Sequence, residues 1–101
     1  MASVAQDAAL SLRIDHSLDY LEAEWSGITS LATEWDSWDD HSRVVFALDW
    51  PIREDRLSQV QEWAKCDLLS SVQCQRLALL LLIVEARRPL LEQLLADDST
   101  E

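Results

Sequence analysis

Glycine is almost missing from this chain of 101 residues, which has only Gly27, and proline occurs twice, as Pro51 and Pro89. A sheet protein of this size needs several tight turns, and tight turns draw on the residues that are scarce here. One glycine also cannot build a phosphate-cradling loop, so nucleotide binding of that kind is excluded. Basic residues are few as well: 8 Lys and Arg stand against 19 Asp and Glu, a formal charge of −11. DNA, RNA and anionic lipid are held through contacts between Lys or Arg and phosphates, so direct nucleic-acid and membrane binding are not expected. The 2 cysteines, Cys66 and Cys74, are too few for a secreted disulfide scaffold and too far apart for a CxxC motif, which favours a reducing cytoplasm. In an oxidising setting the turn between them could bring them within bonding range. The opening MASVAQDAAL has no Lys or Arg, so no secretory leader is expected. The longest apolar run, LALLLLIV at 77–84, is far short of the about 20 residues that a membrane span requires.

What is present is Leu, Ala, Glu, Gln and Arg, side chains that lose little freedom in a helix, at 49% hydrophobic and 27% charged overall. These describe one all-α domain over 1–101, with residues 1–9 and 97–101 as frayed tails. Apolar residues at 10, 14, 18, 21, 25, 28, 31, 35 and 38 advance by threes and fours, the stripe of an amphipathic helix. Capping by Asp15 or Ser17 starts that helix near 16 and carries it to about 37. Gly27 inside it marks a kink or a close helix contact. Ser37 and Asp40 resemble a capping box for a short helix at about 39–49, with Val44, Val45 and Leu48 inward and Phe46 off that face. Trp50–Pro51 should end it, because the residue before proline is pushed out of the helical region, and Pro51 suits the first turn of the next helix, 52–65. There Ile52, Leu57, Val60, Trp63 and Ala64 lie broadly on one side. CDLLSS at 66–71 reads as a loop, Ser70 or Ser71 as a cap, and 72–96 as a last helix bent near Pro89. The pair 52–65 and 72–96 makes an antiparallel hairpin, and dimerisation would complete a bundle.

Catalytic constellations do not emerge. Paired carboxylates work when their surroundings push their proton affinities apart, and the acids here fall at polar helix positions. Asp36, Asp39, Asp40 and His41 are the densest cluster, but they lack the order of an EF-hand loop and the Glu-x-x-His of di-iron bundles, and helix capping accounts for them. His16 and His41 stand alone, and neither cysteine has a neighbouring histidine. No enzymatic activity, cofactor or metal is expected.

The charge is uneven: residues 1–50 hold 2 Lys or Arg against 10 Asp or Glu, and residues 51–101 hold 6 against 9. Five tryptophans accompany it, a residue type enriched at binding hot spots. Trp25 and Trp35 fit the first stripe and should be core. Trp38 and Trp50 flank the short helix and are the candidates for partner contact. The leading expectation is a cytoplasmic, non-enzymatic module that covers a basic surface on another protein, in the manner of an antitoxin, inhibitor or adaptor. Asp15, Asp19, Glu22, Glu24, Asp36, Asp39 and Asp40 would steer the partner, and Trp38 and Trp50 would anchor it. The alternative is a structural homodimer assembled through Leu79, Leu80, Leu82 and Ile83, because eight consecutive apolar residues cover every side of a helix.

The start of the chain supports one further alternative. ALSLRID followed by HSLDYLEAEW, with Leu10, Leu12 and Ile14 alternating with Ser11, Arg13 and Asp15, resembles the opening of ribbon-helix-helix regulators. That resemblance implies a dimeric DNA-binding ribbon. Members of that family read the major groove with polar and basic ribbon side chains, whereas the outward set here would include Asp15, and the helix that follows is longer than theirs.

Overall fold

A computed structural model of the chain describes the backbone of residues 2–99 and the side chains of residues 8–96. Among the described residues there are four α-helices and no strand: α1 (Ala2–Ser26), α2 (Ile28–Glu34), α3 (Asp40–Lys65) and α4 (Ser71–Ser99), with a 3-10 turn at Trp35–Ser37.

The stripe read from the sequence is the face that is buried. Ile14, Leu18, Leu21, Trp25, Ile28 and Trp35 are all sequestered. The helix that carries it starts far earlier than 16, because Leu10 and Ile14 continue the same phase upstream. Period two loses: Ile14 is buried while Leu12 is exposed, so residues 10–15 are helix rather than strand. The ribbon of the ribbon-helix-helix resemblance is therefore absent, and that reading falls. Neither proposed cap acts as one, since Ser17 lies buried within α1 and accepts from Arg56, while Asp15 accepts from Gln73 Nε2 at 2.9 Å. Helix also covers 2–9 and reaches Ser99, over segments whose composition suggests fraying; Met1 and residues 100–101 lie outside the described residues.

Gly27 interrupts but does not redirect this arm. Its φ and ψ stay right-handed at −76° and −8°, its N–H donates to Ala23 at 3.1 Å, and its carbonyl accepts from Leu31 at 3.0 Å. The stripe passes from α1 into α2 without losing phase.

The largest departure from the sequence reading is α3, a single helix where two were expected. Pro51 sits inside it, although its ring removes one backbone hydrogen bond and crowds the turn before. Tertiary anchoring holds the turn: Trp50 is buried against Trp25, its indole N–H donates to Glu54 at 3.0 Å, and Arg53 donates to the Asp49 carbonyl at 3.2 Å. With α3 unbroken, the facing of its first half changes. Phe46 turns in to pack on Trp35 and Trp50, while Val44, Val45, Leu48 and Ile52 face out. The cap is also reassigned, because Asp39 accepts from Ser42 N–H at 2.8 Å and Ser37 instead donates back to the Glu34 carbonyl.

The α3–α4 connection is defined by two motifs. Asp67 takes a left-handed φ of 63°, while its N–H donates to Ala64 and that of Leu68 to Trp63, the pairing of a Schellman cap. Ser70 and Gln73 then bond reciprocally, Gln73 N–H to the Ser70 hydroxyl at 3.2 Å and Ser70 N–H to Gln73 Oε1 at 2.9 Å, a capping box that starts α4. α4 continues through Pro89 without a stop.

Cross-helix contacts give the directions. Gln73 meets Ser11 and Asp15, and Arg76 meets Asp19 and Glu22, so α1 and α4 run parallel. Arg56 meets Ser17 and Arg53 meets Glu24, so α1 and α3 run antiparallel. The principal extents are 56 × 23 × 18 Å and the radius of gyration is 16.1 Å, against about 13 Å for a compact chain of this length. So slender a body has too little interior for all its apolar residues.

Candidate interaction surface

The acids of α1 are engaged within the fold. Arg76 reaches across from α4 to Glu22 at 2.8 Å and to Asp19, with Asp15 at 3.8 Å; Glu22 foremost, and Asp19, raise its already high proton affinity although burial opposes the shift. Glu24 is paired with Arg53 from α3. Asp15, Asp19, Glu22 and Glu24, expected as steering charges, therefore act first as clamps that bind α1 to its two neighbours. Arg76 is the hub.

A second node joins α3 to α4. Arg88 donates to both oxygens of Glu54, at 2.8 and 3.1 Å, and lies over the Trp25 ring with 5.0 Å to the centroid. Hydrogen bonds from Arg88, aided by the Trp50 indole N–H, hold the Glu54 carboxyl below the usual carboxylate range although burial opposes the shift. Trp50 thus belongs to the interior. It is nearly inaccessible and stacks edge-on to Trp25 at 5.0 Å, so its expected role as a partner contact is corrected.

The corner between α2 and α3 has a different character. Trp38 stays half-buried and forms, with Val45 and Phe46, the apolar floor of an open cleft of about 730 Å³ edged by Asp39, His41, Asp49 and Arg53. Its floor rests on a chain of rings. Trp38 contacts Trp35 at 5.6 Å and Phe46 at 6.1 Å, Phe46 contacts Trp50 at 5.4 Å, and Trp50 contacts Trp25. Arg43 locks the corner by donating twice to the Trp35 carbonyl, at 3.1 and 2.7 Å, with its guanidinium 5.4 Å from the Trp35 ring centroid. Hydrogen bonds from Ser42 hold the Asp39 carboxyl below its ordinary range.

Among the described residues Glu34, Asp36, Asp39, Asp40 and Asp49 make no ion pair. The corner is thus the part of the surface where carboxylates gather without internal cations, beside an apolar floor. Next to it on α3, Val44, Leu48 and Ile52 recur every four residues on the outer face, and Leu48 is 73% exposed. Sequence reasoning found Asp36, Trp38, Asp39 and Asp40 here but missed Val45, Phe46, Leu48 and Asp49. The i, i+4 spacing of 44, 48 and 52 was the available signal, hidden by placing a helix end at Trp50.

On α4 the four leucine-run candidates divide. Leu80 is fully buried in the core and Ile83 packs against it with only part of its surface open, whereas Leu79 and Leu82 are each 62% exposed. Cys66 and Cys74 are free and exposed. No three metal-ligating side chains converge among the described residues, and no described helix is long and apolar enough to cross a membrane.

The fold and its surface define an all-α assembly of three long helical arms, with an acid-edged aromatic cleft at one end. Compared with known proteins, the chain matches no family model, and no curated protein or solved structure is significantly similar to it.

Proposed function

We propose that the protein is a non-enzymatic interaction module whose α2–α3 corner receives a basic, apolar-tipped segment of a partner protein. The observation that carries this reading is the coincidence of an open Trp38–Val45–Phe46 floor with carboxylates left without internal cations. An apolar side chain on such a floor loses its water, while Lys or Arg on either side meets Asp39 and Asp49 at the rim, with Asp36 and Asp40 close by in the chain but outside the cleft lining. Rim charges of this kind act chiefly on encounter rate and selectivity, and the desolvated floor on residence time.

The test is an amide NMR titration with a synthetic amphipathic helix of Leu, Trp and Lys, and a matched helix with Glu in place of Lys. The Lys peptide is expected to shift resonances of residues 36–49, with Trp38→Ala and Asp49→Asn weakening it and added salt slowing association. Shifts centred on the α1 acids, or equal binding of the Glu peptide, would defeat the proposal.

A further inference from the structure

From Ser71 to Leu82 every exposed residue of α4 is uncharged, in a chain that is 27% charged. The one ionisable guanidinium in that stretch, Arg76, is turned onto α1 by Asp19 and Glu22. Val72, Gln75, Leu79, Leu82 and Ala86 follow one another by threes and fours along the exposed side, and Pro89 continues the sequence one step on. That alternation is the seam along which two helices pack side by side, and Ala78 and Ala86 allow close approach. Leu80, Val84 and Leu91, on the opposite side of the same helix, already fill the intramolecular core. The helix therefore has two apolar faces, and only one is covered.

We infer that this outer face of α4 is a self-association seam, and that its occupant is α4 of a second copy of this chain. Charge decides the occupant. Each copy carries −11, so two copies repel everywhere except where both surfaces are neutral, and the seam is such a place. A basic partner would gain little from the Val72–Leu82 stretch, which exposes no carboxylate, and would be drawn to the α2–α3 corner instead, although Glu85 and Glu92 flank the Pro89 end of the seam. Leucines set against the alanines of a facing helix supply the interlocking that two leucine faces alone would lack.

The size of the seam fixes the expected strength. From Val72 to Pro89 it runs about 26 Å on a helix about 10 Å across, on the order of 300–400 Å² per copy with its flanks. Stable complexes bury about 800 Å² per partner, so the dimer belongs to the weak class, in the micromolar range or above. Its salt response is opposite in sign to that of the corner complex: screening the mutual repulsion of two −11 chains strengthens the dimer, whereas it weakens capture of a basic segment.

Sedimentation equilibrium of the full chain from about 1 to about 500 µM, at low salt and near 0.5 M, tests this over the range a weak interface occupies. The expected result is a monomer–dimer equilibrium that tightens with salt. A double substitution, Leu79→Glu with Leu82→Glu, should raise the dissociation constant at least about 100-fold, since it puts four carboxylates into each dimer seam. Both positions are exposed, so helicity by circular dichroism should be retained; Leu48→Glu on α3, equally exposed, should leave the equilibrium unchanged. A monomer throughout the range, a dimer that weakens with salt, or a dimer that survives the α4 substitution and not Leu48→Glu would overturn the inference. The corner proposal is untouched by those outcomes, because peptide binding is read at residues 36–49, none of which lies on α4.

Discussion

Replacing Trp25 puts the central packing of the molecule under direct test. Its side chain has no exposed surface, stands edge-on to Trp50 at 5.0 Å and lies beneath the Arg88 guanidinium. Trp→Ala in a core costs about 3–5 kcal/mol, and that range already contains the lost ring contact, about 0.5–1.5 kcal/mol in other proteins. An opposing effect is specific to this site. The Trp25 indole N–H is buried without an acceptor, and an orphaned donor costs about 1–3 kcal/mol, which any residue lacking the N–H recovers. Trp25→Ala should therefore destabilise by about 1–3 kcal/mol, an appreciable share of the 5–15 kcal/mol typical of whole domains. Trp25→Phe keeps a ring on Trp50 and sheds the orphaned donor, so it should lie within about 1 kcal/mol of the parent. Urea unfolding followed at 222 nm reads both without relying on tryptophan emission. With a slope near 2 kcal/mol/M, the alanine midpoint should fall by about 0.5–1.5 M and the phenylalanine midpoint by less than about 0.5 M. A loss well above about 1 kcal/mol for phenylalanine would show that the N–H has a good acceptor and that its orphaning was misjudged. A loss below about 1 kcal/mol for alanine would remove Trp25 from the core altogether.

Pro51 is exposed inside a continuous helix, so Pro51→Ala should stabilise by about 1–3 kcal/mol in the same unfolding assay, and a loss would mean that the ring itself is needed to set the turn. The Glu54 carboxyl is held low by Arg88, so its contribution is complete above the unfolded carboxylate range and drains away as pH falls through the lower folded value. Glu54→Gln should flatten the acid limb of a Tm-versus-pH curve below about pH 4.5, and a parent and variant that fall in parallel there would contradict the assignment. Arg76→Gln leaves Asp15, Asp19 and Glu22 facing one another without their cation. Because those acids are more than a third exposed, the expected loss is only about 1 kcal/mol, or a Tm fall of about 4–8 °C, shrinking with added salt. Asp36→Asn with Asp49→Asn should leave stability level or raised by a few tenths of a kcal/mol while weakening capture of the Lys peptide, and undiminished capture would locate the binding elsewhere.

How much of this was legible in the sequence depended on whether packing or propensity governed each segment. The stripe from Leu10 to Trp38 announced the buried face of α1 and α2 correctly, because hydrophobic phase survives a local break such as Gly27. Ser70 was one of two cap candidates beside Ser71, and the structure selects it through its reciprocal bonds with Gln73, a contact between near neighbours. The start of α1 is misplaced by the sequence because Asp15 and Ser17 look like caps, and only the position of Gln73 and Arg56 on other helices reveals that their oxygens are used across the bundle. Trp50–Pro51 failed for the same reason. The local rule for the residue before proline is sound, but Trp25 and Glu54, distant or unassigned in a linear reading, supply the anchoring that outweighs it. That single error rotated residues 44–48 in the mind of the reader and hid half of the corner surface.

The allocation of arginines explains why the acidity, spread through the first half of the sequence, becomes local in three dimensions. Arg53, Arg76 and Arg88 all come from the second half of the chain and reach carboxylates on α1 or α3, so each neutralises an acid while fastening two helices together. Arg43 is the basic residue between Glu34 and Asp49, and its guanidinium is directed at the Trp35 carbonyl and ring rather than at a carboxylate. It stiffens the corner without discharging it. A fold needing only stability would gain by pairing those acids, since like charges left together cost free energy at low salt. Retaining them beside an apolar floor makes the free protein slightly less stable at the place where a cationic partner would give that energy back. Mass action then makes partner binding and corner stability the same quantity measured in two ways: whatever holds the Lys peptide must also protect the Asp40 end of α3 from opening.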